Sequence, residues 1–227
     1  MRRSKRVLVV ATHPDDEILG VGGTLARHVA EGDTCAIAIV ADAASVRYDE
    51  KTMEIVRGGA REAAGHLGVS ELRFAGLPDQ RLDTLPIVEI TGWVEKVLRD
   101  LEPEIVYTHH RGDVNRDHRV VYEATLTAAR PYAAPFVERL LCFETPSSTE
   151  WSGPHLEAGF LPNVFVDIGP HLERKLDAMA AYATELRDAP HPRSLEALRA
   201  RAGYWGSLVG LAAAEPFSLV REVDRRD

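Results

Sequence analysis

The feature that most constrains this chain is a junction near its start. Residues 7–25 read V-L-V-V-A-T-H-P-D-D-E-I-L-G-V-G-G-T-L: a short β-branched run, a turn of reactive residues, then an apolar series at helical spacing. The run 7–11 has the character of a strand buried on both faces, and Ile18, Val21, Leu25 and Val29 recur along one helix face. A buried strand feeding directly into a helix is the opening unit of an α/β fold with a mostly parallel sheet. In such open sheets ligands bind beyond the carboxyl ends of the strands. His13, Pro14, Asp15, Asp16 and Glu17 therefore stand where a site is expected.

The turn carries its own chemistry. Pro14 steers His13 away from helical backbone and itself suits the first helical position, so the strand ends at His13 and the helix begins just after it. His13 and Asp16, three residues apart across that turn, are close enough to share one divalent ion. An imidazole nitrogen and a carboxylate oxygen suit zinc at roughly 2.0–2.2 Å each. Asp15 projects in another direction and is free to act as a base. Acidic residues in a first helical turn are also ordinary partners of the helix dipole, and Asp-Asp-Glu alone would signal no more than that. The histidine at the strand end favours a metal, which needs a third ligand from elsewhere. Residues 104–108, E-I-V-Y-T, form another expected strand and lead into H-H-R-G-D-V-N-R-D-H-R-V-V at 109–121. His118 is the candidate there, at the start of a helix carrying Val120, Val121, Ala124 and Ala128. A double-histidine site built from His109 and His110 is the less favoured arrangement.

A-T-H-P-D-D-E-I-L-G-V-G-G-T-L, taken with the later D-x-N-x-D-H-R, resembles the zinc-dependent de-N-acetylases of the LmbE-like or PIG-L-like family. The resemblance implies a Rossmann-like three-layer α/β sandwich, with the metal site at the carboxyl ends of the strands and one domain over 1–227. It implies removal of the N-acetyl group from an N-acetylglucosamine-type sugar or its conjugate. His13, Asp16 and His118 would be the zinc ligands and Asp15 the general base; iron(II) is an alternative metal. The residues permit this chemistry on their own terms. Three protein ligands leave a coordination position for water, and zinc can bring that water's pKa down to about 7. Asp15 can accept the water's proton and return it to the leaving amine.

The resemblance passes over His109 and His110, leaving His109 a supporting or structural role. One position departs from the family pattern. Many members have a histidine three residues before the zinc histidine, thought to help stabilise the tetrahedral intermediate, and here that residue is Asn115. Its amide can donate a hydrogen bond to an oxyanion but carries no charge. An arginine near Arg57 contacts substrate in the family, while an ion pair with Glu54 or Glu62 is its plainer role. Asp79 is expected to bind sugar hydroxyls or to serve as a turn residue after Pro78. His191, within P-H-P-R-S at 190–194, is expected either to reach the active site or to sit in a rigid turn between helices. Trp151 is a candidate to stack on a sugar or to cover the core from the rim.

Along the rest of the chain, strands are expected at 35–41, 71–75, 137–143, 163–168 and 217–223, and helices at 52–67, 85–101, 171–186 and 195–211. The polar stretch 42–51 is expected as a rim loop, and 224–227 as a solvated tail. With 227 residues and 45% hydrophobic content, a full core needs no staples, and Cys35 and Cys142 lie in apolar runs as small core residues. A net charge of −8 with scattered Lys and Arg argues against nucleic acid as a partner. The basic opening R-R-S-K-R resembles the start of a signal peptide, but the apolar run after it is too short and ends in H-P-D-D-E. No segment approaches the ~20 apolar residues of a membrane span. The expected setting is the cytoplasm and the expected partner a small N-acetylated sugar or conjugate; assembly into a homo-oligomer stays open. Two other classes compete. A phosphoesterase usually needs more carboxylates around two ions ~3.5–4 Å apart, and a non-catalytic sugar-binding module would have no use for Asp15.

Overall fold

The computed structural model describes residues 3–45, 47–153 and 159–224; His155 and the tail beyond 224 lie outside them. The elements run β1 (Arg6–Ala11), α1 (Asp16–Ala30), β2 (Thr34–Ala43), α2 (Glu50–Leu67), β3 (Glu71–Pro78), α3 (Ile87–Leu101), β4 (Ile105–His109), α4 (Arg116–Ala128), β5 (Arg139–Phe143), β6 (Val164–Asp167), α5 (Leu172–Ala180), α6 (Leu195–Ser207) and β7 (Ala214–Glu222). Among the described residues the strands form one seven-stranded sheet in the order β3-β2-β1-β4-β5-β7-β6. The first five are mutually parallel, and β7 runs antiparallel to both β5 and β6.

Strand pleating turns β1 into the partition between two cores. Val7, Val9 and Ala11 pack with Ile18, Val21 and Leu25 of α1 and with residues of α2 and α5. Leu8 and Val10, pointing the other way, pack with Ile90, Val94 and Val97 of α3 and Val121 and Ala124 of α4. The result is the three-layer sandwich. Its strand order reverses at β1, with β2 and β3 on one side and β4 and β5 on the other. The crevice beyond the carboxyl ends of β1 and β4 is therefore the switch point at which open α/β sheets bind ligands.

Several boundaries differ from the sequence expectation. The helix expected at 171–186 stops at Ala180, because Tyr182 turns into the core and leaves 1% of its surface exposed. The helix expected at 195–211 stops at Ser207. There the chain folds back so tightly that a Cβ on Gly206 would lie 2.6 Å from the Leu211 carbonyl oxygen. The last strand starts at Ala214, earlier than expected, and includes Pro216. The proline is tolerated because β5 pairing ends at Phe217, leaving Pro216 opposite Phe165 of β6. The helix expected at 52–67 begins at Glu50, where the Asp49 side chain accepts the Thr52 N–H at 2.8 Å. Cys35 and Cys142 are free and buried. No described helix is long and apolar enough to cross a membrane.

Candidate active site

The backbone of Asp15 decides how the two adjacent carboxylates part. Its φ is 108°, a conformation L-residues rarely adopt, and its carbonyl accepts the N–H groups of Ile18 and Leu19 at 3.0 and 2.9 Å. Asp15 thus stands just outside α1 and Asp16 opens it. Asp16 reaches back so that its Oδ2 accepts the His13 N–H at 2.7 Å. Asp15 turns instead toward Arg193, whose Nη1 donates to its Oδ2 at 2.9 Å.

Three potential ligand atoms converge. His13 Nδ1 and His118 Nε2 each lie 3.3 Å from Asp16 Oδ2, and the two nitrogens are 3.2 Å apart. A tetrahedron with arms of about 2.0–2.1 Å has edges of about 3.3–3.4 Å, so this triangle has the dimensions of one face of a tetrahedral zinc site. His118 arrives from the first turn of α4, where the Asn115 side chain accepts the Asp117 N–H at 3.0 Å and caps the helix.

Carboxylates stand behind both rings. His13 Nε2 lies 3.0 Å from Asp79 Oδ1 and 3.6 Å from Asp117 Oδ2, and His118 Nδ1 lies 3.2 Å from Asp113 Oδ2. Asp113 is held in turn by the Ser148 hydroxyl, by Thr149 Oγ1 at 2.7 Å and by the Asn115 N–H at 2.8 Å. Such partners fix the tautomer and orientation of ligand imidazoles. His13, Asp79 and Asp117 form a second acidic grouping, but it shares the His13 ring with the first.

Burial and neighbouring charge set the protonation tendencies. Burial opposes a charged His118 ring, yet Asp16 and Asp113 raise its pKa to about 9. Asp16 is held well below the usual carboxylate range, against burial, by His118 and His109. Asp15 is pushed well above that range by burial and by the Asp16 charge, with Arg193 opposing. His109 is brought down to about 3 by burial and by His118. It accepts the Thr12 N–H on Nε2 at 2.9 Å, which leaves Nδ1 to donate to Thr145 Oγ1 at 3.2 Å. Its ring stacks on His118 at 4.1 Å, so a neutral His109 buttresses the triangle. His110 points elsewhere, edge-on to Phe160.

His13, Asp15, Asp16 and His118 line a cavity of about 200 Å3 that also takes in Asp79, Asn115, Arg193 and, from the expected rim loop, Arg47 and Tyr48. Two residues expected at the substrate, Arg57 and His191, do not line this cavity. Arg57 donates from Nε to Asp42 at 2.5 Å, and Asp42 also accepts the Gly76 N–H at 2.7 Å. That buried carboxylate at the end of β2 holds Arg57 off the cavity lining. His191 uses its Nδ1 to accept the Arg193 N–H at 3.1 Å and does not line the cavity. Trp151, 57% exposed and edge-on to His191 at 6.3 Å, does not line it either. Sequence reasoning missed Arg193, two positions from His191 in the same P-H-P-R-S stretch. It also missed Glu185, which shares the Arg193 guanidinium at 3.1 Å.

A Rossmann-like sheet whose switch point holds two histidines and one carboxylate, beside a second carboxylate outside the triangle, defines a class of α/β protein built around a metal-type site. Within that class, the chain belongs to the PIG-L family, described as GlcNAc-PI de-N-acetylase, whose family model matches residues 8–129. It is similar to a 1D-myo-inositol 2-acetamido-2-deoxy-alpha-D-glucopyranoside deacetylase of Rhodococcus jostii (strain RHA1). The identity is 27% over 245 residues, covering 82% of this chain and 83% of the relative. Its fold matches that of the conserved protein TT1542 from Thermus thermophilus, with a TM-score of 0.77, 28% identity and 98% and 97% of the two chains covered. It also matches an N,N'-diacetylchitobiose deacetylase from Pyrococcus horikoshii, with a TM-score of 0.76, 21% identity and coverage of 96% and 84%.

Proposed function

We propose that this chain is a zinc-dependent N-deacetylase that removes the acetyl group from an N-acetylglucosamine-type sugar or its conjugate. The observation that carries the reading is the triangle of His13, Asp16 and His118 with its 3.2–3.3 Å edges, beside an Asp15 that takes no part in it. Those three residues would hold the ion, and the same donors also suit iron(II). When bound, the metal polarises the amide carbonyl and acidifies a water.

The chain's own groups do the rest. Asp15, its basicity raised by burial, accepts a proton from the attacking water and delivers it to the amine nitrogen as the C–N bond breaks. The products are acetate and a free amino sugar. Asn115 commits its side-chain oxygen to the α4 cap, so its NH2 is the part left to donate to a carbonyl oxygen gaining charge. Asp79, engaged with His13 and Gln80 through Oδ1 and also with the Ser45 side chain, is an orienting partner of the His13 ring at the wall of the cavity, where a sugar hydroxyl would meet it. The free Cys35 and Cys142 thiols are consistent with a reducing cytoplasm. The phosphoesterase reading is disfavoured because the two groupings use opposite nitrogens of the one His13 ring, which would hold two ions farther apart than the ~3.5–4 Å of a two-metal site.

The test is a panel of N-acetylated sugars, their conjugates and phosphorylated sugars, scored for acetate, free amine and phosphate. We expect acetate and amine in equal amounts and no phosphate. Asp15→Asn should keep its metal and lose about 10²–10⁴-fold in kcat, the span of a general base. Phosphate release, or an Asp15→Asn enzyme as fast as the parent, would falsify the assignment.

A further inference from the structure

The proposed reaction asks for one thing its named residues do not supply: a base as deeply buried as Asp15 needs something to hold it. Asp15 is 4% exposed, at a positive φ, with the Asp16 carboxylate as its neighbour. Two adjacent buried carboxylates repel each other, and nothing in the triangle touches Asp15 to hold its side chain.

Arg193 meets that need. Its Nη1 donates to Asp15 Oδ2 at 2.9 Å and to Glu185 Oε2 at 3.1 Å, and its side chain is 20% exposed. The rest of the residue is fixed from outside the cavity. The Arg193 N–H rests on His191 Nδ1, and the following Ser194 caps α6 by accepting the Ala197 N–H at 3.1 Å. Glu185 is itself braced by the Tyr48 hydroxyl at 3.0 Å. Among the described residues Asp15 Oδ1 has no hydrogen-bond partner, so Arg193 occupies one oxygen of the base and leaves the other open. A guanidinium suits this position better than a lysine or histidine would. It stays charged across the working pH range, so it does not compete for the proton the base must carry, and its planar fork can face two carboxylates at once.

We propose that Arg193 is the positioning residue of the base: it pins Asp15 through Oδ2, offsets the paired negative charge of Asp15 and Asp16, and leaves Oδ1 as the oxygen that handles the proton. This rests on the deacetylase reading. It assigns the P-H-P-R-S stretch a role through its arginine, with His191 supporting that arginine's backbone.

The experiment uses the metal-loaded full chain. Arg193→Ala should lower kcat about 10²-fold, the cost of a misplaced reacting group, while KM moves less than about threefold and bound metal stays at parent stoichiometry. Guanidinium ion added at millimolar concentration should restore a measurable part of the Arg193→Ala rate and leave Asp15→Asn unchanged. Arg193→Lys should fall between the two, and serves as the folded control if the alanine variant is unstable. A second readout needs no turnover. In NMR spectra the Arg193 Nη protons should exchange slowly in the parent and quickly in Asp15→Asn. The proposal is overturned if Arg193→Ala keeps its kcat, if the whole loss falls on KM, or if the Nη protons are indifferent to Asp15. A parent that releases no acetate but shows the Nη dependence on Asp15 would sink the deacetylase reading and leave the clamp standing.

Discussion

At the scale of single residues, the site is a set of carboxylates sorted by what stands behind them. Asp16 belongs to the triangle, Asp113 and Asp79 stand behind the rings, and Asp15 is kept apart by its backbone. Asp113 is the most connected of these, joining His118 to Ser148, Thr149 and Asn115. Asp113→Ala should therefore weaken metal binding about 10–100-fold, measured by competition with a chelator, with little change in the far-ultraviolet dichroism. Asp113→Asn, which keeps an acceptor oxygen, should lose less. The triangle was legible in the sequence because H-P-D-D and D-H each place ligand atoms by local geometry, one at a strand end and one in a first helical turn. Arg193 was not. Its link to Asp15 spans 178 positions, and nothing in P-H-P-R-S says whether the histidine or the arginine turns inward. The ion-pair partner of Arg57 was hidden for a related reason, since Asp42 lies on a strand and outside the i,i+4 neighbourhood that a helix reading searches.

At the scale of elements, α1 is the piece whose shape the site depends on most. It carries glycines at 20, 22 and 23 where an amphipathic helix would ordinarily have alanine or larger residues. The contacts explain them. A Cβ on Gly20 would fall 2.3 Å from Phe143 Cδ2, and one on Gly23 would fall 2.8 Å from Ile168. Phe143 ends β5 and touches His109 at a ring distance of 4.6 Å. Gly20→Ala should thus destabilise the fold by about 1–3 kcal/mol, the usual cost of overpacking a core, read as a lower urea midpoint. Helix periodicity located α1 and α4 and found α2 and α3 to within two residues at each end, because each has one apolar face against the sheet. It failed at the end of α5, where Tyr182 leaves the helix to meet Glu17, a contact 165 positions away. It failed again at α6, whose apolar pattern ran past the point where the chain turns back.

At the scale of the whole molecule, one buried ion pair ties three distant parts together. Lys175 of α5 donates to Glu215 of β7 at 2.6 Å and to the Leu19 carbonyl of α1 at 2.8 Å. Glu215 also accepts the N–H groups of Gly23 and Thr24 at 2.9 and 2.7 Å. Removing the lysine strands a buried carboxylate, so Lys175→Met should cost about 3–5 kcal/mol in chemical denaturation. The parallel half of the sheet was readable from the alternation of strand and helix patterns. The placement of β7 between β5 and β6 was not, because strand order beyond the alternating units depends on pairings that no local pattern records. That placement governs when the sheet can be finished. β6 leaves the ribosome well before β7 does, yet among the described residues β7 is its only partner in the sheet, joined from Val164↔Phe217 to Asp167↔Ala214. The nascent chain thus carries β6 and the open side of β5 uncovered until β7 emerges. A stop codon just ahead of Ala214 would deprive both strands of their neighbour and present the cell's quality control with a sheet that cannot close.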